Sequence, residues 1–226
     1  YSLRFSYSNT DANSILENSG LTKNNFTLRG NAQLSDKLSV DAKATYFLQE
    51  AKHRPSQGTE GIMAYVYNIP RNVAIADLKD YQEEDLSVRN ITNGGGNPYW
   101  ILHEDINNDS RKRFTGFGKV TYDFTDELSA FVRVGTDFIT HEIRSVNQYG
   151  HWFYPTGQFS YSTRSSTETN ADFLMKYNDS FGSFNISANA GGNMRYDTYR
   201  YYGIWGEDFK IPEKPIISSA STVDPG

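Results

Sequence analysis

His53, His103, His141 and His151 are the side chains best suited by type to move protons or ligate metals near neutral pH. None of them falls in a His-Glu-x-x-His arrangement or another metal-ligand spacing. Cysteine is absent, which removes disulfide frameworks and thiolate metal sites. No Gly-x-Ser-x-Gly nucleophile elbow is present, and Gly94-Gly95-Gly96 lacks the spacing and the strand-to-helix setting of a phosphate cradle, so it reads as a flexible loop. The histidines therefore read as surface or loop residues, and no enzymatic activity, cofactor or metal is expected. Asp105-Ile106-Asn107-Asn108-Asp109 does carry oxygen ligands at every other residue, as a hard cation such as calcium prefers. An EF-hand would need a turn glycine where Ser110 stands and a bidentate glutamate where Gly116 stands. The run reads as a solvated polar turn feeding the next strand, with calcium as the alternative.

Aromatics are the other chemistry-bearing residues. Tyr99, Trp100, Trp152, Phe153, Tyr154, Tyr201, Tyr202 and Trp205 fall between periodic segments and are expected to be exposed. A flat apolar ring with a polar edge can stack on a sugar or anchor a protein partner. Tyr99, Trp100, Trp152, Tyr154 and Trp205 are the candidate ligand- or partner-binding residues, with packing of the loops on one another as the competing role.

The elements that must position these residues are strands. In Lys23 to Leu34, Phe26, Leu28, Gly30, Ala32 and Leu34 alternate with Asn25, Thr27, Arg29, Asn31 and Gln33, a strict period of two. After Ser35-Asp36-Lys37 the pattern resumes with Leu38, Val40, Ala42, Ala44, Tyr46 and Leu48, so the two runs form a hairpin. The same unit recurs around Thr125-Asp126-Glu127 and again around Asn178 to Ser183, and Tyr1 to Tyr7 adds a further alternating run. Seven strands are expected. Phe117 and Phe131 interrupt an otherwise polar face that also holds Arg29, Lys119, Arg133 and Arg195.

Water-soluble sandwiches alternate too, so two further features decide between core-facing and lipid-facing apolar residues. These runs reach about ten residues, enough to cross a bilayer at a tilt and longer than the roughly five to six of a globular strand. The connections alternate short and long, with tight turns on one side and, on the other, Asn9 to Thr22, Glu50 to Ser110, Ile139 to Ser160 and everything after Arg200. Transmembrane barrels have this asymmetry, with short periplasmic turns and long extracellular loops. Tyr46, Tyr122, Phe124, Tyr177 and Phe184 lie near strand ends, where aromatic girdles belong. No apolar stretch approaches the ~18 residues of a membrane helix, which leaves a barrel as the spanning option. The formal charge of −5 gives no reason to expect nucleic acid as partner. An open sheet would leave edge amides unpaired in hydrocarbon, so closure is expected to need more chain. Within the longest connection, Ile62, Tyr65, Val66 and Ile69 recur at helical spacing and Pro70 stops them, which predicts a short amphipathic helix over Thr59 to Asn68.

The ordered set of Lys23-Asn24-Asn25-Phe26, Leu34-Ser35-Asp36-Lys37-Leu38, Asn97-Pro98-Tyr99-Trp100, Arg111-Lys112-Arg113-Phe114-Thr115-Gly116, Tyr122-Asp123-Phe124, Asn170-Ala171-Asp172-Phe173-Leu174 and Gly191-Gly192-Asn193 resembles the mid-barrel region of the SusC/RagA family of TonB-linked outer-membrane transporters. The resemblance covers nearly the whole chain. It implies an all-β fold in which residues 1–226 are part of a 22-stranded antiparallel transmembrane barrel with a plugged lumen. It implies a multi-pass protein of a Gram-negative outer membrane and import of an oligosaccharide or peptide. The partners it implies are a SusD-like surface lipoprotein, outer-membrane lipid, and the TonB complex reached through an N-terminal region that this sequence does not contain. The competing reading is a secreted or surface-attached all-β carbohydrate-binding module, separable from the barrel by solubility without detergent.

Overall fold

A computed structural model describes residues 1–91 and 96–225. Eight antiparallel strands form one sheet in chain order: β1 (Ser2–Asn13), β2 (Gly20–Gln33), β3 (Leu38–Lys52), β4 (Ile106–Asp123), β5 (Leu128–Asn147), β6 (Gln158–Phe181), β7 (Phe184–Phe209) and β8 (Ala220–Asp224). Three short helices, α1 (Ile62–Asn68), α2 (Ile75–Leu78) and α3 (Pro98–His103), lie between β3 and β4. The chain is all-β and has the form of a β-barrel fragment.

Two of the short turns share one device. Ser35 Oγ accepts from the Lys37 amide, and Thr125 Oγ1 accepts from the amides of Glu127 and Leu128. Each hydroxyl thus mimics a turn carbonyl, which is why Ser and Thr open these turns. The third turn is tighter than the predicted Asn178 to Ser183. Phe181 pairs with Phe184, and Gly182 takes φ +61°, a left-handed conformation that closes the hairpin with two residues.

The register places like residues side by side across the sheet. Ala32, Val40, Val120, Val132 and Phe173 pair in succession, forming one apolar row across β2 to β6. Toward the loop end, Tyr7, Phe26, Tyr46, Phe114 and Phe138 form an aromatic row in the same way. Toward the turn end stand Tyr122, Phe124, Tyr177 and Phe184. From Phe114 to Tyr122 the chain advances about 27 Å along the strand, so the aromatic rings at each end bound an apolar band of about that length. Val120, Val132 and Phe173 are each about half exposed, at 48%, 57% and 55%. A self-contained sandwich would cover this face with a second sheet, and the described residues supply only one.

Ion pairs cross the opposite face. Arg29 meets Asp41 at 3.1 Å, Arg113 meets Asp137 at 2.5 Å, Arg133 meets Asp172 at 2.8 Å and Arg195 meets Glu168 at 2.9 Å. The arginines are about half exposed, so each pair is worth well under about 1 kcal/mol. Their consequence is a hydrated face. Lys119 sits 4.5 Å above the Phe131 ring, which accounts for one of the two phenylalanines that interrupt it.

The structure corrects the expected connections. Strands β4 to β7 are 18, 20, 24 and 26 residues long and continue well beyond the aromatic row. Most of Ile139 to Ser160 is therefore strand, and only residues 148–157 connect β5 to β6. Asn9 to Thr22 shrinks to residues 14–19. The segment after Arg200 extends β7 and then returns as β8, which makes eight strands in place of the expected seven. Above the aromatic row polar and apolar residues mix on both faces, and β6 is polar throughout Thr163-Arg164-Ser165-Ser166, so alternation fades while the backbone ladder persists.

A hydrophobic core sits at the loop end, where Val146, Phe159, Phe209 and Ala220 pack together under Ile106, Ile204 and Ile217. The connection from Lys210 to Ser219 folds back over it.

Candidate functional site

The segment from His53 to Asp105 folds as a cap over the loop end, and its two ends are fastened at one place. The Arg54 amide donates to the Asn107 carbonyl at 2.7 Å and Asn107 Nδ2 returns a bond to the Arg54 carbonyl at 3.0 Å. The Arg54 guanidinium holds the buried Asp109 carboxylate at 2.5 Å. His141 Nε2 lies 3.4 Å from the other Asp109 oxygen. Of the Asp105 to Asp109 run, expected as a polar turn, Ile106 to Asp109 is thus the start of β4; Asp109 Oδ1 accepts from Arg54, and Asn108 Oδ1 accepts from the His53 amide. Among the described residues no three His, Cys, Asp or Glu side chains gather as a metal site.

The Asn97-Pro98-Tyr99-Trp100 motif builds the middle of the cap. Asn97 Oδ1 accepts from the Tyr99 amide at 2.9 Å, a helix N-cap, and Pro98 occupies the first helical position where its missing N–H costs nothing. Asn97 Nδ2 donates to the Leu78 carbonyl at 3.0 Å. The indole of Trp100 is wholly buried, edge-on to Tyr81 with ring centres 6.3 Å apart. This corrects the expectation that Trp100 is exposed to a ligand, because burial removes it from that role. Tyr99 is half-buried and stacks on His103 at 6.3 Å. His103 in turn reaches Glu17 at 3.3 Å, and Asn18 donates to the Leu102 carbonyl, tying α3 to the connection between β1 and β2.

The helix predicted from Ile62, Tyr65, Val66 and Ile69 is α1, with Ile62 and Tyr65 buried and Val66 largely exposed. Tyr65 accepts a hydrogen bond from Trp152 Nε1 at 3.1 Å. Gly96, at φ +87°, lies so close to the Tyr65 and Trp152 rings that a Cβ there would sit 2.7 Å from Tyr65. Gly94 and Gly95 lie outside the described residues. The cap is also bound to the β5–β6 connection through Val88, whose amide donates to the Gly150 carbonyl at 3.0 Å.

His151 centres that connection. Its Nδ1 accepts from the amides of Phe153 and Tyr154 at 3.1 and 3.3 Å, and its ring stacks on Trp152 at 3.9 Å. Burial pushes its pKa down to about 4, so it is neutral at pH 7 and acts as a fixed acceptor. Tyr81 moves the other way, because burial and the hydrogen bond it donates to Glu104 raise its phenol above the ordinary value.

Of the candidate aromatics, Trp152 and Tyr154 flank His151 and Trp152 reaches the cap, Tyr99 lies on α3, and Trp205 stands apart on β7 opposite Ser160 and Asp224. Trp152, Tyr154 and Trp205 are half-buried.

The polar face above the aromatic row adds residues that the loop aromatics do not indicate. Lys23, Gln49, Arg111, His141, Arg164 and Tyr201 pair in succession across β2 to β7. Two adjoining cavities of about 350 and 470 Å³ share Gln49 and Arg111 in their walls. Continuing the period-two count of the polar face from Thr115 and Arg113 on β4 and from Arg133 on β5 reaches Arg111 and His141 from sequence.

No family model matches the chain, and no curated protein matches it. The fold is similar to that of a chain in the structure of the RagAB peptide importer in the 'closed-closed' state, with a TM-score of 0.71 and 12% identity over 97% of this chain and 26% of that one. It is similar also to a chain of the same importer in the 'open-open' state, with a TM-score of 0.69 and 12% identity over 97% of this chain and 25% of that one. The chain spans about a quarter of the length of the solved chains whose fold it shares.

Proposed function

We propose that this chain forms part of the barrel wall of a TonB-dependent outer-membrane importer of the SusC/RagA kind. Its contribution is binding and positioning, with no catalytic chemistry. The observation that carries the reading is the two-faced sheet. A band of apolar residues bounded by aromatic rows suits a bilayer, the reverse face suits a hydrated lumen, and the strands run on above the band to hold a folded cap. Similarity in fold to chains of a peptide importer supports it.

The cap over residues 53–105, with Trp152, Tyr154, Tyr99 and Trp205 around it, would form part of the extracellular vestibule where a SusD-like lipoprotein lid and an oligosaccharide or peptide meet the barrel. Energy would arrive from the TonB complex through a region outside this sequence. The short turns would face the periplasm.

The test is replacement of Pro55 to Glu104 by a glycine-rich turn of about four residues in the complete transporter. His53 Nδ1 lies 3.2 Å from the Asp105 carbonyl, so a short turn can join the two ends. Removing the whole cap also avoids leaving Trp100 uncovered. The barrel should assemble at normal level while co-purification of the lipoprotein or ligand uptake falls at least several-fold. Unchanged lid association and unchanged uptake would remove the case for the cap.

A further inference from the structure

We infer that the polar face above the aromatic row binds carboxylates carried by the imported ligand, through Lys23, Arg111 and Arg164 on β2, β4 and β6. The inference rests on the importer reading and names a ligand chemistry for it.

Lower on the same face, Arg29, Arg113, Arg133 and Arg195 each have a carboxylate on a neighbouring strand. The row of Lys23, Gln49, Arg111, His141 and Arg164 contains no acid. The paired row above it contributes only Asp109, already bound to Arg54, and the row below it contributes none. Among the described residues, Lys23, Arg111 and Arg164 have no carboxylate within ion-pair distance, and Arg111 Nε is buried without any acceptor. An N–H of a guanidinium withdrawn from water without a partner is costly, and an anion within hydrogen-bond reach recovers that cost.

The geometry offers room for such a group. With strands about 4.8 Å apart, Lys23 and Arg111 stand about 10 Å from each other across Gln49, and Arg164 is about 10 Å further along across His141. The cavities on either side of Gln49 and Arg111 also expose Leu21, Phe47, Ile139 and Ile143. A carboxylate flanked by apolar groups fits this mixture, because the apolar walls lower the local dielectric and strengthen the charge contact. A bare, strongly hydrated anion gains less here. Acidic peptides and uronic-acid saccharides both present such carboxylates, and the probes separate them.

The experiment uses the complete transporter with its lipoprotein partner, purified in detergent. The probes are a labelled peptide with two glutamates, its amidated glutamine counterpart, and a trigalacturonate. The double variant Arg111→Gln with Arg164→Gln should weaken the acidic peptide or the trigalacturonate at least ten-fold, and the neutral peptide by less than two-fold. Arg111→Lys with Arg164→Lys, which keeps the charge, should recover most of the affinity. Which acidic probe responds identifies the source of the carboxylate. Equal losses for acidic and neutral probes, or no loss at all, would overturn the anion site and leave the importer reading standing. Absence of binding of both acidic probes to the wild-type complex would also overturn the anion site, whereas the importer reading stands or falls on the cap replacement.

Discussion

The buried indole of Trp100 and the neutral imidazole of His151 do for the cap what a core does for a small domain. Trp100→Ala would leave a large cavity beneath Tyr81, and a loss of roughly 3–5 kcal/mol is expected within the cap. Limited proteolysis of residues 53–105 should accelerate accordingly, while cleavage elsewhere stays as in the wild type; Trp205→Ala should leave the cap's cleavage rate unchanged. His151 predicts a pH dependence. Its pKa is 6.5 in the unfolded chain and about 4 in the fold, so its contribution to stability is complete above pH 6.5 and is lost as the pH falls toward 4. The full loss is roughly 3 kcal/mol, and protonation also removes the acceptor used by the Phe153 and Tyr154 amides. Hydrogen exchange at those amides and at Val88 should quicken between pH 6 and 4, relative to amides in the middle of β4 and β5, and His151→Asn should flatten that difference. At this scale the sequence is only partly legible. Aromatic type and loop position suggest exposed rings, but whether a loop ring is exposed depends on how residues fifty apart pack. Nothing local marks Trp100 as interior, whereas the Asn97-Pro98 cap-and-start signal is readable beside it.

Strands are more legible where their two faces meet different media. Between the aromatic rows the period of two holds except at Phe117 and Phe131, and Val40, Val120 and Val132 of three alternating runs are adjacent in the sheet. Beyond those rows both faces meet water and the alternation disappears, so the strand extensions look like loop in sequence. β8 is five residues long and rich in Ser and Thr, too short to show a period. The same contrast of media predicts opposite responses to one substitution. Val132→Arg should cost roughly 2–4 kcal/mol in lipid, whereas Asn31→Arg, which faces Asp41 across the strand pair, should cost under about 1 kcal/mol. Reversible refolding of the complete barrel into bilayers measures both, and similar costs would mean that the faces are wrongly assigned.

At the scale of the molecule, the sheet, the ion-paired face and the cap fit the proposed wall, with lipid on one side and water on the other. In sequence the unmatched cations above the aromatic row look like ordinary polar-face residues. Only the register, which sets Lys23, Arg111 and Arg164 in one line and places no acid among them, separates them from the paired arginines below. The most direct measurement of the wall is spin labelling of single cysteines placed in turn at Ser129 to Val134 on β5, in the complete protein reconstituted into bilayers. Labels at Ala130, Val132 and Val134 should collide with oxygen dissolved in the hydrocarbon, and labels at Ser129, Phe131 and Arg133 with a water-soluble nickel complex, giving two accessibility profiles of period two in opposite phase. Profiles in which all six positions meet the nickel complex alike, or in which no alternation appears, would contradict a barrel wall.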